Sequence, residues 1–167
     1  MKKKYINQIL LLFVALLIIF LLLPESYTEE DAYNELLKLD SKSSMEQLKQ
    51  KGYIDVSQTM ETQNSEITDF IDDTQSKRAC VLRIATIHDT KLCAKILVYN
   101  KDFDAIVMHT FYPNQQQGEN PGKCFNTTIK KMIKNGVVII YLKNIQNPSI
   151  PFTQTLEDEI LYSYYLS

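Results

Sequence analysis

Tryptophan is absent from the 167 residues, and glycine and proline number only four and five. So few chain breakers exclude long disordered linkers and leave no glycine-rich oxyanion loop. No block of five like charges occurs, which excludes a nucleic-acid surface, because phosphate binding needs clustered Lys and Arg. Neither the Cys-x2-Cys nor the His-Glu-x-x-His spacing that fixes zinc geometry is present, so no metal and no cofactor is expected. The cysteines are three, Cys80, Cys93 and Cys124, an odd number that leaves at least one thiol without a partner in the chain.

What is present begins with MKKKYINQILLLFVALLIIFLLLPESYTEE. From Ile9 to Leu23 fifteen consecutive residues carry no polar side chain. With the flanking residues 5–24 the run reaches about the 30 Å of a hydrocarbon core. It ends LLLPES, without the small-x-small site of a cleavable signal peptide. Residues 1–24 are therefore expected to form a signal anchor, a transmembrane helix making residues 5–24 the membrane partner. Lys2, Lys3 and Lys4 before the run, against Glu25, Glu29, Glu30 and Asp31 after it, orient the chain with residues 25–167 outside the cytoplasm, at the cell membrane. Without those three lysines, fifteen basic side chains face twenty acidic ones, a net charge of −5.

Residues 25–43 read as a juxtamembrane helix and connector, and 44–167 as one extracytoplasmic domain. Thr28 ahead of Glu29, Glu30 and Asp31 caps a helix to about residue 39. Ser44 with Gln47 caps a second that Gly52 stops, YIDV (53–56) is a short extended piece, and Asn64 caps a third to about Gln75. Beyond Arg78 the period changes to 2. CVLRIATIH (80–88), LCAKILVYN (92–100) and DAIVMHTF (104–111) read as strands, with the polar stretch 114–123 as a loop. Asn135-Gly136, a type I′ turn signal, separates two more strands. Thr155 and Asp158 cap a last helix carrying Leu156, Ile160, Leu161 and Tyr164 on one side. The expected fold class is α+β: a transmembrane helix, then helices packed on an antiparallel sheet of about five strands.

The helix ending in KGYIDV, the polar helix after it, LRIATIHD, the strand ending LVYN, and a late cysteine followed by a Lys-rich strand and VIIYLKN together resemble a family of small bacterial envelope lipoprotein domains of unknown function, found in spore-forming Gram-positive bacteria. The resemblance covers about residues 45–145 and implies compartment and fold only. The family pattern has a lipid-acceptor cysteine after the apolar run and a second cysteine beyond the last strand. This chain has neither, and Asn144 to Asn147 stand where the family partner of Cys124 would be.

Three side chains carry candidate chemistry. If the strand pairs 80–88/92–100 and 92–100/104–111 run with residue numbers summing to 179 and 202, then Thr86, Cys93 and His109 lie side by side. A thiol beside imidazole is how a cysteine nucleophile is activated. Arg83, between Leu82 and Ile84, is the candidate ligand-binding residue, or else the internal partner of a carboxylate for which Asp104 has the right parity. Glu157 to Glu159 read as solvated helix surface. The functional expectation is a non-enzymatic binding or interaction module of the cell envelope with a protein or peptide partner. The alternative is a Cys/His-dependent hydrolase or thiol-active enzyme.

Overall fold

The structure, a computed structural model, describes residue 13 and residues 27–113, 120–126, 128–143 and 159–166. The expected span at residues 5–24 lies outside the described residues apart from Phe13. Among the described residues no helix is long and apolar enough to cross a membrane.

Three helices fall where their caps put them. In α1 (Glu29–Leu37) Thr28 and Asp31 close a capping box, and in α2 (Met45–Gln50) Ser44 and Gln47 close another. The side chain of Asn64 accepts from the Ile67 amide to start α3 (Ser65–Gln75). Gly52 sits at φ +84°, the left-handed region that ends α2 without a Cβ clash.

The sheet is larger than expected and is divided. Strands β1 (Ile54–Asp55), β2 (Val81–His88), β3 (Lys91–Asn100), β4 (Ala105–Phe111) and β5 (Gly122–Asn126) form one sheet in that order. Strands β6 (Thr128–Lys134), β7 (Val137–Lys143) and β8 (Glu159–Tyr165) form a second. β1 runs parallel to β2, and the other pairs are antiparallel. One face of the five-stranded sheet carries α1 and α2, packing Ala32, Leu36 and Leu48 on Ala94, Ile96 and Val98. Its other face meets the three-stranded sheet and α3, burying Leu97, Met108, Phe70, Ile140, Leu142 and Tyr162. β3, covered on both sides, is buried along nearly its whole length.

The expected α+β class, with a transmembrane helix and one sheet of about five antiparallel strands, is therefore corrected. Of the described residues 44% are strand and 23% helix, in eight strands and two sheets. Two misreadings account for much of the difference. β5 begins at Gly122, inside the stretch 114–123 read as loop, and runs on past it to Asn126; residues 114–119 lie outside the described residues. The expected last helix is β8. Its pairing with β7 sums to 302 from Tyr165 back to Tyr162 and to 301 at Ile160 and Glu159, so Leu161 is the extra residue of a β-bulge. The bulge puts Leu161 and Tyr162 both inward, and the resulting spacing of Ile160, Leu161 and Tyr164 imitates a helical face.

Candidate functional site

The register decides which candidate residues meet. β2 and β3 pair with sums of 179, so Thr86 is opposite Cys93. β3 and β4 pair with sums of 205, which places Ile96, not Cys93, opposite His109. The cause is the connection. The side chain of Asn100 accepts from the Asp102 amide at 2.9 Å, and Asp104 takes φ +48°, making residues 101–104 a four-residue turn, longer than a sum of 202 allows. A shift of three is odd, and an odd shift turns one member to the opposite face. Cys93 faces the second sheet and His109 faces α1.

Cys93 is fully buried (0% exposed), and burial raises its thiol pKa against the opposing charge of Lys95 and a hydrogen bond with Tyr112. Burial likewise raises Cys80, to about 12, and Cys124. All three thiols are free. Iodoacetamide at pH 7.5 is expected to leave them unmodified in the native protein and to alkylate all three on unfolding, read by mass spectrometry. Rapid native labelling of Cys93 would revive a thiol-active enzyme.

His109 is 3% exposed, and neither ring nitrogen has a hydrogen-bond partner among the described residues. Tyr33 of α1 meets the ring edge-on at 6.4 Å, and Lys123 stands opposite on β5, itself held by Glu29 of α1 at 2.6 Å. Burial, then the Lys123 charge, push the imidazole pKa down, and Glu29 opposes them. The folded value lies below the unfolded one, so the neutral form is favoured on folding. Stability is complete above the unfolded pKa near 6.5 and is lost as pH falls through the folded value. His109→Leu should add about 1 kcal/mol at pH 7 by removing two orphaned nitrogens. It should also flatten the stability loss between pH 7 and 5 in urea titrations.

Arg83 reaches Glu35 of α1 through two parallel hydrogen bonds, Nε to Oε1 and Nη2 to Oε2, both 2.8 Å. The hydroxyls of Tyr27 and Tyr53 donate to the same carboxylate at 2.6 and 3.0 Å, and the guanidinium lies 4.7 Å over the Tyr27 ring. Burial raises the Glu35 pKa, but the bonds from Arg83 and Tyr27 and the Arg83 charge outweigh it, so the carboxyl is held below its usual range. Asp104, the partner suggested by parity, lies in the turn just before β4 and accepts instead from Lys77 and Tyr99. Two charge-assisted bonds from Arg83 on β2 to one carboxylate on α1 have the geometry of a helix-to-sheet clamp.

The residue that sequence reasoning missed is Lys95. It lies in the middle of β3, 9% exposed, on the face towards the second sheet. Its partner is Glu159, whose carboxylate the Leu161 bulge turns inward; an unbroken alternation would have pointed it out. Glu159, read from sequence as solvated, is thus half of a buried ion pair joining the two sheets. Beside it opens a cleft of about 260 Å³. Its floor is Ile84, Thr86 and Lys95, and its walls are the segment Val56–Thr59 and residues 160–163 of β8. The first wall is built by β1 pairing with β2 and by Met60, which exchanges backbone hydrogen bonds with β8 on either side of Tyr164. Lys95 lines the cleft and is bonded to Glu159. The ammonium has three donors, and among the described residues Glu159 is its one recorded acceptor. Within reach of a ligand there are also the hydroxyls of Thr86, Thr59 and Ser163, the last two 2.9 Å apart. The cleft brings together a cation, several hydroxyls and the apolar side chains of Val56, Ile84 and Leu161. Among the described residues no three His, Cys, Asp or Glu side chains are grouped to hold a metal. No family model matches the chain, and neither does any curated protein or solved structure.

Proposed function

We propose that the domain is a non-enzymatic binding module of the cell envelope, working outside the cytoplasm, and that its ligand site is the cleft beside Lys95. The single observation behind this reading is Lys95 itself, a buried cation brought to a cleft by a strand with both faces covered and balanced by a carboxylate that a bulge supplies. Such an arrangement is costly to bury, and a purely structural site would be as well served by apolar side chains. The ion pair is neutral overall, so a formally anionic ligand would meet the charge of Glu159, whereas a carbonyl oxygen can accept the ammonium protons that Glu159 leaves. Peptide carbonyls, with their N–H groups directed at Thr86, Thr59 or Ser163, fit this chemistry, and the volume suits about two or three small residues. Against the hydrolase alternative stand a fully buried thiol and an imidazole on the opposite face of the sheet. The lipoprotein-domain resemblance agrees with the envelope compartment and adds no residue role.

The test is an amide NMR titration of the full chain in detergent micelles with trialanine blocked at both ends. Shift changes should concentrate in β2, β3 and β8 and vanish in the Lys95→Met/Glu159→Leu double variant, which retains the fold because both charges are removed together. Shifts that persist in that variant, or none in the native chain, would sink the reading.

A further inference from the structure

We propose that the outward face of the three-stranded sheet is a docking surface for an anionic lipid bilayer. Val138, Ile140 and Leu142 of β7 face the core, so the alternate residues look outward. Three cross-strand rows lie on that side: Lys130 with Tyr141 and Ile160, Met132 with Ile139 and Ser163, and Lys134 with Val137 and Tyr165. Lys143 extends them on β7 by the same alternation. Ile160, Tyr165 and Met132 are 61%, 55% and 44% exposed. Every charged side chain on these rows is a lysine, in a chain whose residues 25–167 carry a net charge of −5. The Leu161 bulge produces this separation: it turns Glu159 to the inner face and leaves Ile160 on the outer one.

Lysines commonly guard an exposed edge strand against aggregation, and that role accounts for Lys130 and Lys134 on β6. It accounts neither for Lys143 on the central strand β7 nor for the isoleucine and tyrosine exposed on β8. Charge complementarity requires an acidic partner. Among the described residues the apolar side chains here form a shallow strip, Met132 beside Ile139 and Tyr141 beside Ile160, rimmed by lysines on a sheet face, without the deep central anchor of a protein interface. A bilayer surface suits them: Lys stems lie on the acyl boundary with their ammonium groups at the phosphates, while Tyr and Ile enter between headgroups. Attraction to anionic lipid adds to apolar burial and is screened by salt. The fifteen apolar residues from Ile9 to Leu23 give the same chain a second segment of lipid-compatible chemistry.

The absence of tryptophan allows a direct test, since Ile160→Trp gives the full chain a single reporter on this face. The protein is reconstituted in vesicles containing brominated lipids, either with phosphatidylglycerol or with phosphatidylcholine alone. In anionic vesicles the emission should fall at least twofold by bromine quenching. Quenching should be relieved by 0.5 M salt and by Lys130→Glu/Lys134→Glu/Lys143→Glu. Leu37→Trp, exposed on α1, should stay unquenched and controls for simple proximity of the domain to lipid. Tyr165→Trp serves as a second reporter if Ile160→Trp perturbs the fold. Equal quenching in neutral vesicles, equal quenching at position 37, or none in anionic vesicles, as when an acidic protein is the true partner, overturns the proposal.

Discussion

Glu35→Ala should lower the unfolding free energy by about 3 kcal/mol, the low end of what removing one partner of a buried ion pair costs. The low end applies because Arg83 and Glu35 each keep about a quarter of their side-chain surface in contact with water. The loss has several sources. The guanidinium of Arg83 is left between α1 and the sheet without its two charge-assisted bonds, and the Tyr27 and Tyr53 hydroxyls lose their acceptor. Their phenol pKa values, raised first by burial and then by Glu35, show how closely both rings attend the carboxylate. Glu35→Leu/Arg83→Met should recover most of the loss, since it removes both charges. Linkage gives a further signature. The folded pKa of Glu35 is depressed, so its contribution is complete above the unfolded value near 4.5 and is lost as pH falls through the folded one. Urea titrations of the full chain at pH 7 and pH 4 read both effects. A Glu35→Ala variant within 0.5 kcal/mol of the native chain at pH 7 would show that the clamp does not hold α1 to the sheet.

That clamp also shows where sequence reasoning stops. Arg83 flanked by Leu82 and Ile84 does announce a need for a carboxylate, because a guanidinium inside a strand must be compensated. Choosing Glu35 over Asp104 requires knowing how a helix 48 residues earlier lies on the sheet, which no local pattern states. Local chemistry was legible wherever it is self-contained. The capping residues Thr28, Ser44 and Asn64 mark three helix starts, and Asn135 and Gly136 take the positive φ values that a type I′ turn demands. The first hairpin register was also legible, because Asp89 and Thr90 at positive φ make the two-residue turn the pattern suggests. The second was not, since the Asn100 side chain opens a four-residue turn, and a shift of three was enough to separate Cys93 from His109. β8 was misread because a bulge breaks the alternation on which strand recognition rests. Lys95 carried a readable signal: it interrupts LCAKILVYN in the same way that Arg83 interrupts VLRIAT, and a charge within so apolar a strand has to be paired or used.

Glu159→Ala should cost about 3 kcal/mol and should do so by loosening one sheet from the other. Lys95 is deeper than Arg83, with 11% of its side chain exposed, and among the described residues Glu159 is its acceptor, so truncation leaves a largely buried ammonium, across from Ile84, without its carboxylate. Lys95→Met alone should cost less, because Glu159 keeps more solvent contact and can be rehydrated at the end of β8. Lys95→Met/Glu159→Leu should stand within about 1 kcal/mol of the native chain, since well-packed apolar residues commonly replace a buried pair without loss. The three values from urea titration separate the pair's two possible roles. If the double variant is as stable as the native chain, the ion pair is not what holds the sheets together, and its place beside the cleft is explained by what the cleft binds. If the double variant is as unstable as Glu159→Ala, the pair is the fastening between the sheets, and the bulge at Leu161 exists to deliver that fastening and not a ligand contact. Amide exchange in β8 should follow the same order, fastest in Glu159→Ala, because this strand carries the carboxylate and joins the five-stranded sheet otherwise through the Met60 bridge and apolar packing.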